Sequence, residues 1–180
     1  MNKQTVWVFG DQLNKKIGAL GDAKPTTHRI LMIESRAKIT TRRWHVQRAH
    51  FIVASMRRFA DELREAGFEV DYRFAESMRA GVQLHYDEYS PSQIVVTEPN
   101  SFAARELVSA LSLQYKSQFD LQSVKSNQFL CHPDEYANFR ATRKTVKMED
   151  FYRWQRKRLD VMMDGDDPVG GRWNFDEENR

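Results

Sequence analysis

Three short polar stretches each follow an apolar, strand-like run. Gly10-Asp11-Gln12 follows "VWVF", Glu34-Ser35-Arg36 follows "RILMI", and Thr97-Glu98-Pro99-Asn100 follows "QIVV". Gly10 lets the chain turn sharply, or lets a ligand approach the backbone. Asp11 and Gln12 set carboxylate acceptors beside a carboxamide that donates as well as accepts, which suits the edge of a heterocycle or sugar hydroxyls. A second reading stands beside this one: Asp11 caps a short helix and Gln12 satisfies backbone groups. The phosphate-cradling patterns G-x-G-x-x-G and G-x-x-x-x-G-K-[ST] do not occur, nor do H-E-x-x-H and C-x-x-C. His45 and His50 lie five residues apart on one helical pattern and so share no face; His85 and His132 are isolated. Each reads as a surface or capping residue. Cys131 adjoins His132, but nothing completes a nucleophile, base and orienting group. Spacing alone yields no catalytic constellation.

The elements that must position these stretches alternate. Strands are expected at 6–9, 29–35, 68–74, 94–97 and 119–124. A long helix lies between the second and third, with Ala49, Ile52, Val53, Met56, Phe59, Ala60 and Leu63 on one face and Gly67 as its stop. Further helices are expected at 78–89 and around 104–115. The connection from 10 to 28 carries Gly18, Gly21 and Pro25, so any helix there is short. Five strands with intervening helices predict an α/β doubly wound, Rossmann-like parallel sheet, in the order 3-2-1-4-5. In such sheets ligands bind beyond the carboxyl ends of the strands, where all three polar stretches emerge. After the sheet, "HPDEYANFRATRK" predicts a short helix with Pro133 near its first turn. "KMEDFYRWQRKRLDVMMDG" predicts a longer one, with Met148, Phe151, Tyr152, Leu159, Met162 and Met163 as its apolar face and Gly165 as its end. The stretch "DDPVGGRWNFDEENR" reads as a linker.

The bulk properties are those of a globular chain: 180 residues, 41% hydrophobic and 29% charged. No apolar run reaches the ~18–20 residues of a membrane span, and no leader is visible at the start. One cysteine excludes a disulfide within this sequence and an all-cysteine cluster site, and it fits a reducing, cytoplasmic setting. The net charge is only +3, but cations gather at 140–158 and at Arg36, Lys38, Arg42, Arg43 and Arg48. Such runs read first as solvated helix faces and second as anion or nucleic-acid contacts.

Read in series, "VFGDQLN", "MIES", "SMRRFADELREAGFEVDYRF", "VTEPN", "FLCHPDEYANF" and "MDGDDPVGGRWNFDEENR" resemble the deoxyribodipyrimidine photolyase-related proteins. This is the iron–sulfur bacterial branch of the cryptochrome/photolyase superfamily, which includes (6-4) photolyases. The resemblance runs in register along essentially the whole chain. It implies an antenna-chromophore-type α/β domain at 1–125, a helical extension at 126–165, and a linker at 166–180 toward a flavin domain that this sequence lacks. That absent domain would hold FAD and a [4Fe–4S] cluster, so this part alone is expected not to catalyse. The α/β domain is implied to hold 6,7-dimethyl-8-ribityllumazine. Its pocket would be lined by Phe9, Gly10, Asp11, Gln12 and Glu34, with His45, Arg48 and Ile52 from the start of the long helix. Phe9 and Ile52 would form its apolar wall. No residue of the chain is expected to bind a metal.

The function this implies is that of the antenna domain of a protein acting in light-driven repair of DNA photolesions, or in light sensing. Two other readings use the same residues: a stand-alone small-molecule or nucleotide-binding module of this fold, and a nucleic-acid interaction domain working through 140–158. Expected partners are a small-molecule chromophore and, weakly at most, DNA. No membrane is expected, and the exposed apolar face near the C-terminus is expected to favour a dimer.

Overall fold

Each of the five apolar runs forms a strand of one parallel sheet. The computed structural model describes residues 3–41 and 44–175, so Arg42 and Arg43 of the basic cluster and the end of the tail lie outside the described residues. The strands are β1 (Gln4–Val8), β2 (His28–Ser35), β3 (Glu69–Ala75), β4 (Gln93–Thr97) and β5 (Asp120–Val124). They lie in the order β3-β2-β1-β4-β5, all parallel, as expected. The connections contain α1 (Gly18–Gly21), α2 (Arg36–Thr40), α3 (Val46–Glu65), α4 (Met78–Tyr89) and α5 (Phe102–Tyr115). The chain divides into two compact units after Gln128.

The pleat of β1 sorts its residues between two cores. Val6 and Val8 pack with Ile30 and Met32 of β2 and with Met56, Phe59, Ala60 and Leu63 of α3. Trp7 and Phe9 face the other way, with Leu31, Ile33, Ile94, Val96, Val82 of α4, and Val108 and Leu111 of α5. Both faces of the central strands are covered, which is why they read as continuous apolar runs. Serine side chains start the helices at the carboxyl ends of the strands: Ser35 accepts from Lys38 N–H, Ser77 from Ala80 N–H and Ser101 from Ala104 N–H. Gly67, at φ +88°, ends the turn after α3 in the left-handed region that favours glycine.

One buried polar chain ties three elements of the sheet layer together. His85 of α4 is fully buried; its Nδ1 lies 2.6 Å from Asp71 Oδ2 on β3, and its Nε2 lies 2.8 Å from Thr5 Oγ1 on β1. Arg73 Nε donates to the same Asp71 oxygen at 2.6 Å. His85 is therefore a satisfied core residue rather than a surface one. The Thr–His–Asp order resembles a nucleophile relay, but Thr5 is fully buried, so a substrate has no access to it.

In the second unit, α6 (Pro133–Ala141) starts with Pro133 in its first turn and a capping box between His132 and Glu135. α7 (Met148–Leu159) is shorter than the periodicity predicts. It stops at Asp160, which adopts φ 52°, and the chain then forms a small hairpin of β6 (Met163–Asp164) and β7 (Asp167–Pro168). Gly165 thus sits in the hairpin turn and is not the end of the helix; Met162 and Met163 lie off the helix. The helix ends in a left-handed turn at Asp160, whose N–H bonds back to the Arg156 and Lys157 carbonyls. The buried Arg156 guanidinium fastens the chain beyond it, donating to the carbonyls of Val161 and Met162 and to Tyr152 Oη. Phe139 is buried among Tyr136, Phe151 and Trp154, with ring centroids 4.9–6.3 Å apart. Trp173, in the expected linker, is half-buried and has Arg156 5.3 Å from its ring centroid.

Asp71 gives the first unit an acid-sensitive fastening. Burial alone would raise its pKa, but the hydrogen bonds from His85 and Arg73 and their charges outweigh it and hold it below the ordinary 3.8. A carboxyl depressed in the folded state contributes stability above its unfolded pKa and loses that contribution as pH falls through the folded value. Wild type should therefore lose stability below about pH 4. Asp71→Asn should be less stable at neutral pH by roughly 2–4 kcal/mol and should show a flatter acid limb. Denaturant midpoints measured from pH 2 to pH 7 check both, and an acid limb equally steep in the variant would contradict this account.

Candidate functional site

The register of the sheet decides which strand-end residues can meet. Val8 pairs with Met32, so Gly10 continues the α3 face level with Glu34, two residues farther along each chain. Tyr72, which pairs with Met32 from the other side, lies on the same face. Glu34 is buried, and both its oxygens accept from Arg57 Nη2 of α3 at 2.9 and 3.0 Å. Arg57 Nε and Tyr72 Oη also donate to Oε2, at 3.1 and 2.9 Å. A buried carboxylate needs such a set of donors, and the charge-assisted pair supplies it. Hydrogen bonding and charge from Glu34 hold the Arg57 guanidinium above its ordinary pKa. Burial, then the hydrogen bond and charge of Glu34, push the Tyr72 phenol up to about 12.

A Cβ on Gly10 would lie 2.8 Å from Met56 Sδ, the far end of a flexible side chain, and 3.7 Å from Ile52 Cγ2. The space beside the strand end is thus filled by the end of a flexible thioether, with half-buried Ile52 next to it. His45 caps α3, its Nδ1 accepting from Gln47 N–H, and Arg48 lies with its guanidinium carbon 4.8 Å from the Trp44 ring centroid. His45 and Arg48 therefore belong to the exposed first turns of the same helix.

The other expected lining residues are not gathered here. Phe9 points to the opposite core and stacks on Trp7, with ring centroids 4.6 Å apart, so it shares no wall with Ile52. The pleat is the reason: neighbours along an extended chain face opposite sides. Gln12 is buried, and its Nε2 donates to the carbonyls of Thr97 and Glu98, each at 3.2 Å. That bridge closes the crevice between β1 and β4, where the strand order reverses. Thr97 Oγ1 accepts from Ala19 N–H on the same side. Asp11 is exposed; it accepts from Asn100 Nδ2 at 3.4 Å and borders a cleft on the β5 side of the sheet edge. Sequence reasoning missed Met56, Arg57 and Tyr72. The two-residue alternation was the available signal, since Gly10, Glu34 and Tyr72 share a parity once the register is known.

Arg143, Arg156 and Arg158, three of the eight cations at 140–158, are hydrogen-bonded within their own unit: Arg156 Nε donates to the Val161 carbonyl, Arg143 Nη1 to the Phe139 carbonyl, and Arg158 to Glu135 Oε1 and the Leu130 carbonyl. Among the described residues no three His, Cys, Asp or Glu side chains gather as a metal-binding group, and no helix is long and apolar enough to cross a membrane.

Together these features define a doubly wound α/β domain whose polar residues collect at the carboxyl ends of its strands, followed by a smaller helical unit. The family model of deoxyribodipyrimidine photo-lyase-related proteins matches residues 6–180, and the chain belongs to that family. It is 37% identical to a (6-4) photolyase of Agrobacterium fabrum, over 98% of this chain and 36% of that protein. It is 22% identical to an uncharacterized protein of Acanthamoeba polyphaga mimivirus, over 77% of this chain and 72% of that one. The chain thus spans about a third of the length of the photolyase it matches.

The Glu34 cluster makes a spectroscopic prediction. The tyrosinate band of Tyr72, isolated as the difference between wild type and Tyr72→Phe, should appear only near pH 12. In Glu34→Gln it should appear at lower pH, because the anion that opposes phenol ionisation is gone. An unchanged midpoint would show that Glu34 does not govern this phenol.

Proposed function

We propose that this chain is the antenna-type α/β domain, with its connecting helices, of a protein that uses light to repair DNA photolesions or to signal. The observation that carries the proposal is membership of the photo-lyase-related family along residues 6–180. The 37% identity to a (6-4) photolyase favours the repair branch. The flavin and the [4Fe–4S] cluster of such a protein belong to a separate helical domain, since the single Cys131 cannot hold a cluster. The part described here then collects light and does not itself break the lesion bonds.

The chromophore is of the 6,7-dimethyl-8-ribityllumazine type, and when bound it supplies absorption of light and transfer of the excitation to a flavin. The α3 side of the β1 exit suits it better than the other strand ends. Ile52 and the movable side chain of Met56 offer an apolar face beside Gly10, two residues beyond the end of β1. Arg57, whose side chain is 62% exposed, offers donors at the edge for ring carbonyls, with Glu34 holding it in place. Burying the rings there yields roughly 25 cal/mol per Å² of apolar area. Arg48 and His45, on the exposed first turns of α3, would serve the hydroxyls of a ribityl chain.

Titration with 6,7-dimethyl-8-ribityllumazine, followed by its fluorescence, tests this. Wild type should bind saturably as Met56 moves aside, and Ile52→Trp, which adds bulk beside Gly10 and Met56, should weaken binding at least tenfold with the fold intact by circular dichroism. Asp11→Ala should leave the affinity within about twofold, since Asp11 borders a different cleft; loss of a hydrogen bond would cost ~1 kcal/mol, or about fivefold. Absence of saturable binding by wild type would overturn the chromophore assignment. Binding lost in Asp11→Ala but kept in Ile52→Trp would move the chromophore to the β5 side.

A further inference from the structure

The loops after β1 and β5 meet over a groove that the chromophore reading does not use. A cleft of about 430 Å³ opens among Asp11, Asn14, Ile17 and Gln128. A second, of about 390 Å³, adjoins it, with Lys16 and Asn127 bordering both. Each falls within the ~300–1,000 Å³ typical of small-molecule sites. Both lie beyond the carboxyl ends of parallel strands, on the side of β1 away from Glu34.

The chemistry changes along the groove. The first half presents the Asp11 carboxylate and the amides of Asn14 and Gln128 above the apolar Ile17, which are donors and acceptors for hydroxyl groups. The second half is bordered by Lys16 and Lys125, with Asp22 as its acidic member, while Lys15, which also borders it, sends its ammonium to the Glu62 carbonyl of α3 at 3.1 Å. Lysines act as point charges for phosphate. The glycines are there for packing: a Cβ on Gly18 would collide with the Thr97 side chain, and one on Gly21 would lie 3.3 Å from the Lys16 carbonyl.

The walls are fastened to one another within the protein itself. Asn127 Oδ1 accepts from Gly18 N–H at 2.8 Å, and its Nδ2 donates to the Lys16 carbonyl at 3.0 Å. Gln128 Nε2 donates to the Asp11 carbonyl at 2.9 Å, and its Oε1 accepts from Asn100 at 2.9 Å. Two consecutive amides of the β5 loop thereby hold the loops that follow β1 and β4. Walls already ordered lower the entropic cost of binding.

We propose that this groove is a second ligand site, for a small phosphate ester that carries neighbouring hydroxyls. Its phosphate lies on the Lys16 and Lys125 half, and its hydroxyls lie on the Asp11, Asn14 and Gln128 half. A sugar phosphate and a nucleoside monophosphate share this chemistry. The site is independent of the chromophore reading, because it lies on the other side of β1.

The test is a titration of the ¹⁵N-labelled chain, followed by amide chemical shifts, with four probes: ribose 5-phosphate, AMP, adenosine and inorganic phosphate. Saturable shifts confined to residues 11–22 and 124–128 are expected with ribose 5-phosphate and AMP. Equal affinity for these two assigns the sugar phosphate, and at least tenfold tighter AMP assigns the nucleotide; both support the site. Adenosine and inorganic phosphate should bind at least tenfold more weakly than the better ester. Lys16→Glu and Lys125→Glu should each weaken ester binding about tenfold, while Arg58→Glu, an equal charge change on α3, should leave it within twofold. Ile52→Trp should leave it unchanged, which separates this site from the chromophore site. Three results would each overturn the proposal: no saturable shifts with either ester, equal weakening by Arg58→Glu, or inorganic phosphate binding as tightly as the esters.

Discussion

The pleat of β1 is the constraint on which the rest depends. Consecutive side chains of an extended strand face opposite sides, and this strand is central and covered on both. Val6, Val8 and Gly10 therefore belong to α3, and Trp7 and Phe9 to α4 and α5. Each later property of the sheet edge follows from that division. Gly10 is bare because Met56 presses against it, and Glu34 can be buried because the same parity brings Tyr72 beside it, with Arg57 reaching in from α3. Phe9 is lost to the α3 side for the same reason. A pocket drawn by proximity in sequence joins residues that the pleat separates.

The switch point of the sheet is occupied by the protein itself. In open parallel sheets the crevice where the strand order reverses is the usual place for a ligand. Here Gln12 spans it, donating to the carbonyls of Thr97 and Glu98 at the end of β4, and the turn at Gly18 and Ala19 closes against Thr97. Gln12 Oε1 is buried with no hydrogen-bond partner. Leaving a buried acceptor unpaired costs about 1–3 kcal/mol. The donor half of the same amide offsets it by satisfying two backbone carbonyls at once. Space for ligands is thereby displaced to the flanks, toward α3 on one side and the β5 loop on the other.

The strands, their order and most of the helices were legible in the sequence because both-face burial writes them as short apolar runs and the three-to-four spacing writes α3 and α5. The site was legible only as a set of strand ends. Which residues meet there depends on pairing register, and register between distant strands leaves no local mark. Arg57 looked like any surface cation on a helix face, yet it neutralises a buried carboxylate. His85 looked isolated because Asp71 and Thr5 lie 14 and 80 residues away from it. The helix from Met148 read too long for a related reason: its apolar spacing continues through Met163, but the chain stops in a left-handed turn at Asp160, with Arg156 reaching forward to hold the two carbonyls beyond it.

That fastening also bears on the run of cations at 140–158. A basic stretch suggests nucleic acid when its charges are free to neutralise phosphates. In this unit Arg143, Arg156 and Arg158 spend their guanidinium groups on backbone carbonyls, and Arg158 also pairs with Glu135. Arginine's planar fork suits that work better than lysine's ammonium, since it can serve two acceptors and still lie over a ring. Arg143 lies 3.9 Å from the Phe139 centroid, and Arg158 lies 5.2 Å from that of Trp154. A unit this small, with Phe139 as its buried aromatic centre, has little apolar surface to bury, so its cations serve as its core as much as its charge. Arg143, Arg156 and Arg158 thus help to hold this segment together, and of the three it is Arg158 whose charge is offset, by its ion pair with Glu135.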